Sequence, residues 1–235
     1  MSYPDVPQVP PVPRPEPALR SGGPEGNERL TAMTGAVLLI LLAVEGYTIL
    51  RIGRLLTLHV FLGMLLLGPV TLKAGSVLYR FVRYYSGNEP YRRKGPPDRL
   101  LRVIGPINMV LTACVFGSGI MLAVTGPNYY SGGATGWLQL HRLSFIAWLF
   151  FMAVHVLAYV WRLPRLLAAE ARGVSSPERP TGGAGGAGVG RPARRAMEVL
   201  GGRGTRLGLL VASLLAGLVI ALLTVHLTGK WEPNG

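Results

Sequence analysis

Five stretches of the chain hold long runs of apolar residues, and short polar or glycine-rich segments separate them. A helix rising about 1.5 Å per residue needs about 20 apolar residues to cross about 30 Å of hydrocarbon. Residues 31–50, 55–80, 101–125, 137–162 and 206–228 reach that length. Only Arg51-Ile52-Gly53-Arg54 divides the first two, which predicts a tight helical hairpin. The third begins after the polar stretch from Ser86 to Arg99, which holds Pro96 and Pro97. Successive spans then alternate in direction, and the pattern predicts an all-α, polytopic transmembrane helix bundle.

The polar segments set the organisation. Seven prolines between Pro4 and Pro17 deny the backbone its donors, so residues 1–30 read as a disordered, extended tail. Residues 31–163 form a four-helix core. Residues 164–205 are basic and rich in Gly, Ser and Pro, including the run from Thr181 to Gly190, and read as a flexible linker. Residues 206–235 are then a tethered fifth helix with a short tail.

Composition agrees with a lipid solvent, with 49% hydrophobic and 15% charged residues and a mean hydropathy of +0.37. A formal charge of +13 raises nucleic acid as a partner, and the placement of that charge argues against it. Lys and Arg gather in residues 79–102 and 162–206, whereas Gly126–Gly136 has none. By the positive-inside rule this places the protein in the cytoplasmic membrane, with the N-terminus inside and the C-terminus outside. Tyr129, Tyr130 and Trp137 suit an outer aromatic belt, and Tyr79, Tyr84, Tyr85 and Trp161 an inner one. The partner so far is membrane lipid. A lone cysteine, Cys114, excludes an intrachain disulfide and a cysteine-based metal cluster within one chain.

All four histidines, His59, His141, His155 and His226, fall in or at the ends of spans, where an imidazole is costly without a partner. His59 stands near the start of the second span and His141 near the start of the fourth. Both spans run from outside to inside, so the two rings share a depth. His141 and His155 are 14 residues apart, which returns to within about 40° of one face and advances about 21 Å. That repeat lets one helix ligate two haems stacked across a membrane.

The segments Leu58-His59-Val60-Phe61-Leu62-Gly63, Leu140-His141-Arg142-Leu143-Ser144-Phe145 and Val154-His155-Val156-Leu157 carry a family likeness. Over residues 31–163 the chain resembles the bacterial four-helix membrane cytochrome b type, including its ferric-reductase-like and hydrogenase-cytochrome-b-like groups. The resemblance implies a haem b carrier moving electrons between a quinone or cytoplasmic donor and an acceptor on the other face. No flavin- or nicotinamide-binding domain is visible, so catalysis would fall to a redox partner subunit. The chain departs from a two-haem pattern at Lys73, where a histidine 14 residues after His59 is expected.

The metal ligands expected are therefore His59 and His141 for one outer haem, with His155 a candidate for a second. Arg54 and Arg142, at the outer end, are candidates to meet haem propionates, and Gly63, one turn below His59, to admit the porphyrin face. Each has a plainer reading: interfacial histidines, topology-setting arginines and a helix-packing glycine. His226 reads as an interfacial anchor, and Lys73 as a lysine snorkelling to the surface. Glu45, the acid within the first span, is expected to pair with Arg51 or Arg54. Pro106, Asn108, Thr112 and Ser118 read as kink and packing residues of the third span. The competing function is a haem-free membrane scaffold or assembly subunit with structural histidines. A small transporter is disfavoured because no inverted repeat is found.

Overall fold

The computed structural model describes residues 24–95, 99–126, 135–161, 163–172 and 202–231. It is an all-α bundle, with α1 Pro24–Leu50, α2 Ile52–Tyr85, α3 Glu89–Arg93, α4 Arg99–Thr125, α5 Thr135–Val160, α6 Leu163–Arg172 and α7 Arg203–Thr224. A 3₁₀ segment, Val225–Trp231, follows α7. Five of these helices are long and apolar enough to cross a membrane, as in a multi-pass membrane protein.

Local chemistry explains the boundaries. Pro24 opens α1, where its missing N–H costs nothing, and Glu25 lies in the positive first turn. The chain reverses at Arg51, whose carbonyl accepts from the N–H groups of Arg54 at 2.9 Å and Leu55 at 3.0 Å. Leu55 itself is non-helical (φ −116°, ψ 20°), so regular helix resumes where the apolar run begins. At the other end of α2 the chain leaves through Gly87, whose φ of +83° favours glycine. The short α3 then folds back so that Tyr91 is buried edge-on against Tyr79, and Lys94 pairs with Glu28 of α1.

Helix α2 is the centre of the bundle, packed on α1 along one side and on α7 along another. The α2–α7 crossing is closest at Gly68 and Gly217. A Cβ at Gly68 would collide with the Ser213 carbonyl, and one at Gly217 with the Leu65 carbonyl. Small residues let two helix backbones approach where the hydrophobic effect gives no drive between them. The helix treated as tethered on sequence grounds is thus seated directly on α2. Its 3₁₀ extension reaches α4, where Lys230 Nζ donates to the Val124 carbonyl at 2.7 Å and offsets the negative helix end.

Helices α4 and α5 form a second antiparallel pair joined by polar contacts. Asn108 Nδ2 donates to the Phe151 carbonyl at 3.4 Å, and Trp148 Nε1 donates to Thr112 Oγ1 at 2.9 Å. His141, Ser144, Trp148 and His155 recur at helical spacing on α5, and Ser144 is buried. Leu143, Ile146, Phe150 and Leu157 of the same helix are exposed, as suits a lipid-facing stripe.

Two segments depart from the sequence expectation. The 164–205 linker begins as helix α6, which packs along α1, while residues 173–201 lie outside the described residues. Of the 1–30 tail, residues 24–30 are helical and 1–23 lie outside the described residues. Tyr129 and Tyr130 also lie outside them.

Candidate functional site

The α1–α2 hairpin brings the last turns of α1 against the first turns of α2. Glu45 Oε1 of α1 lies 2.9 Å from His59 Nδ1 of α2, and Thr48 Oγ1 lies 3.0 Å from the same nitrogen. Thr48 is fully buried, and its hydroxyl donates to the Glu45 backbone carbonyl at 2.6 Å. The Glu45 side chain is only 12% exposed and that of His59 21%, so the pair sits in shielded surroundings rather than in open water.

The α4–α5 pair holds His141 in a parallel way with different chemistry. His141 Nδ1 lies 3.0 Å from the Val115 carbonyl and 3.1 Å from Ser118 Oγ. Ser118 is buried and donates to the Cys114 and Val115 carbonyls, so its position is fixed by the helix that carries it. Gly119 clears the ring: a Cβ there would stand 3.1 Å from His141 Cε1.

A carboxylate and a carbonyl only accept, so each neutral ring carries its proton on Nδ1 and its lone pair on Nε2. Neither Nε2 has a hydrogen bond among the described residues. Helices α2 and α5 have little direct contact, yet the two rings meet across them with centroids 6.4 Å apart and planes at 82°. An imidazole nitrogen bonds a transition metal at about 2 Å, so two rings on opposite sides of one ion place their centroids roughly 6 Å apart. The centroid spacing and the outer hydrogen bonds on Nδ1 are compatible with two imidazoles on one metal ion.

The other expected site residues are placed differently. Arg54 and Arg142 are both exposed. Gly63 lies beneath the carboxylate, with a Cβ there 3.7 Å from Glu45 Oε1. Glu45 turns to His59 instead of pairing with Arg51 or Arg54. His155 stacks obliquely on Tyr159 with ring centroids 4.9 Å apart, and its buried Nδ1 has no hydrogen-bond partner among the described residues. Lys73 does not snorkel outward: its Nζ donates to the Thr31 carbonyl of α1 at 3.2 Å, where only Gly35 leaves it room. His226 is exposed in the 3₁₀ segment. Asn108, Thr112 and Ser118 carry the contacts between α4 and α5, as packing residues do.

Glu45, Thr48, Ser118 and Gly119 were not expected at the site. Their roles follow from how the helices turn about their axes, which the sequence does not specify. No group of three or more His, Cys, Asp or Glu suited to a metal ion occurs among the described residues. Comparison with protein-family models, with curated proteins and with solved structures finds no match.

Proposed function

We propose that the protein is a membrane b-type cytochrome, an electron carrier that holds one haem b between α2 and α5. The observation that supports this best is the His59–His141 pair, two Nδ1-protonated imidazoles at 6.4 Å whose Nε2 lone pairs are unclaimed. Two protein donors suffice for a metal only when the remaining positions are filled by something else. A tetrapyrrole fills four of them in a plane.

Bound there, haem b would supply one-electron exchange, with His59 and His141 as the residues that hold it. The chain's residues do the rest. Glu45 and Thr48 orient His59, while Val115, Ser118 and Gly119 orient His141. The apolar side chains of the spans keep the site in a low dielectric, which tunes its potential. Arg54 and Arg142 are assigned to propionates at the outer membrane edge, and Gly63 to the approach of the porphyrin face.

In this reading the chain lies in the cytoplasmic membrane with its N-terminus inside, and its electrons come from a quinone or a cytoplasmic donor. A partner subunit supplies any catalysis. The unpartnered Nδ1 of His155 keeps a second haem ligated there as a further assignment. It also favours the alternative of a haem-free scaffold, because an imidazole without a ligand is then merely a packed ring.

Reduced-minus-oxidised absorbance of protein expressed with ample haem tests the proposal. An α-band of a b-type haem is expected, lost in His59→Ala and in His141→Ala and kept in His226→Ala. Absence of the band from the haem-supplemented wild type rejects the cytochrome in favour of the scaffold.

A further inference from the structure

We infer that Glu45 is a positioning residue that holds the site at a low reduction potential by acting through His59. This rests on the haem reading above and adds a role for a residue that is not itself a ligand.

The two candidate ligands are supported unequally. His141 Nδ1 meets a neutral carbonyl and a neutral hydroxyl, whereas His59 Nδ1 meets a carboxylate at 2.9 Å. An acid within an apolar helix is expensive, and packing of α1 against α2 needs none. Arg51 and Arg54, six and nine residues further along the chain, are exposed and form no ion pair with Glu45. The carboxylate is instead turned inward.

Thr48 Oγ1, whose proton goes to the Glu45 backbone carbonyl, lies 3.0 Å from His59 Nδ1 beside the carboxylate, so acid, hydroxyl and imidazole adjoin across the hairpin.

The consequence follows from electrostatics. A carboxylate that accepts the Nδ1 proton pushes electron density toward Nε2 and makes it a stronger donor to a metal. A stronger donor with a nearby negative charge favours the more positive, ferric state. The potential is then lower than a site with two neutral supports would have.

Glu45→Gln separates charge from shape, since its amide oxygen still accepts the Nδ1 proton. Redox titration of the purified, haem-loaded protein is expected to show a higher midpoint potential in Glu45→Gln than in wild type. The shift in Ser118→Ala, which removes a neutral support from the other ligand, is expected to be smaller. A Glu45→Gln protein that keeps its haem at the wild-type potential overturns the inference and leaves the cytochrome reading standing. A wild type without haem overturns that reading itself.

If Glu45→Gln yields no holoprotein, the ferric low-spin EPR signal of the wild type decides. An axial imidazole with anionic character narrows the spread of g values relative to two neutral imidazoles. The narrowed signal is expected, and an ordinary neutral bis-imidazole spread overturns the inference.

Discussion

The imidazoles of His59 and His141 approach each other from two helices that scarcely touch, with ring centroids 6.4 Å apart and planes nearly perpendicular. Each ring is held from behind by its own hairpin, α1–α2 for one and α4–α5 for the other. The pair is therefore a joint between two halves of the bundle. If haem bridges it, the cofactor also fastens those halves together. Thermal unfolding in detergent is expected to show a higher Tm with haem than without, and the difference should vanish in His141→Ala, because a ligand stabilises only the state that binds it.

Gly119 is the position where the His141 side of that joint is most sensitive. A Cβ would sit 3.1 Å from the ring, tighter than ordinary contact, and the ring is already fixed by Val115 and Ser118. Gly119→Ala is expected to lower the haem-to-protein ratio while leaving the protein folded, and Gly119→Val to abolish binding. Normal haem content in Gly119→Val would show that the ring has another place to go.

The α2–α7 crossing makes a prediction about stability rather than haem. Gly68→Ala and Gly217→Ala each force a methyl group into the opposing backbone, which cannot move aside as a side chain does. Overpacking of this kind costs about 1–3 kcal/mol or more. Each variant is expected to lower the Tm, and the double variant to lose less than the two combined, because one displacement of α7 relieves both clashes. Additive losses would mean that the two glycines do not share a crossing.

Spans and histidines were legible in the sequence because apolar run length and shared depth are one-dimensional properties. His59 and His141 could be paired by counting along two helices of equal direction. The supports could not, since they depend on how helices turn about their axes. Glu45 had arginines close by in sequence, and only the packing of α1 on α2 shows it turned to His59. Lys73 has the length to snorkel, yet a gap at Gly35 draws it to α1. Glycines carry the same ambiguity: Gly68, Gly119 and Gly217 resemble any other helical glycine until a neighbour is known. Helix α6 was missed because its basic, proline-bearing sequence resembles the linker that follows.

The inner level of the bundle separates one haem from two. Lys73 and His155 lie 14 residues beyond His59 and His141 respectively, but the lysine is engaged by the Thr31 carbonyl of α1. Lys73→Met, which keeps the length and removes the charge, is expected to leave the haem-to-protein ratio and the α-band unchanged. His155→Ala is expected to do the same if the protein holds a single haem. Loss of half the haem in either variant would establish a second site with that residue in it.

Orientation decides which face of the membrane the His59–His141 pair serves, and the hairpin turns allow a direct reading. Gly53 lies exposed in the first turn of α2, beside the reversal at Arg51, and a side chain there meets nothing within 4 Å. Ser86, at the far end of α2, is also exposed. In a Cys114→Ser background, Gly53→Cys is expected to react with a membrane-impermeant maleimide on intact cells, and Ser86→Cys only after lysis. The basic residues around Ser86, including Arg80, Arg83, Arg92 and Arg93, are what should hold that end inside. The reverse labelling would invert the protein and bring the pair to the cytoplasmic face, within reach of a soluble donor. With the expected labelling, the pair lies near the outer face, so an electron from the cytoplasm has to cross most of the bilayer before it arrives. A donor dissolved in the membrane avoids that distance, which makes a quinone the better match to an outer haem.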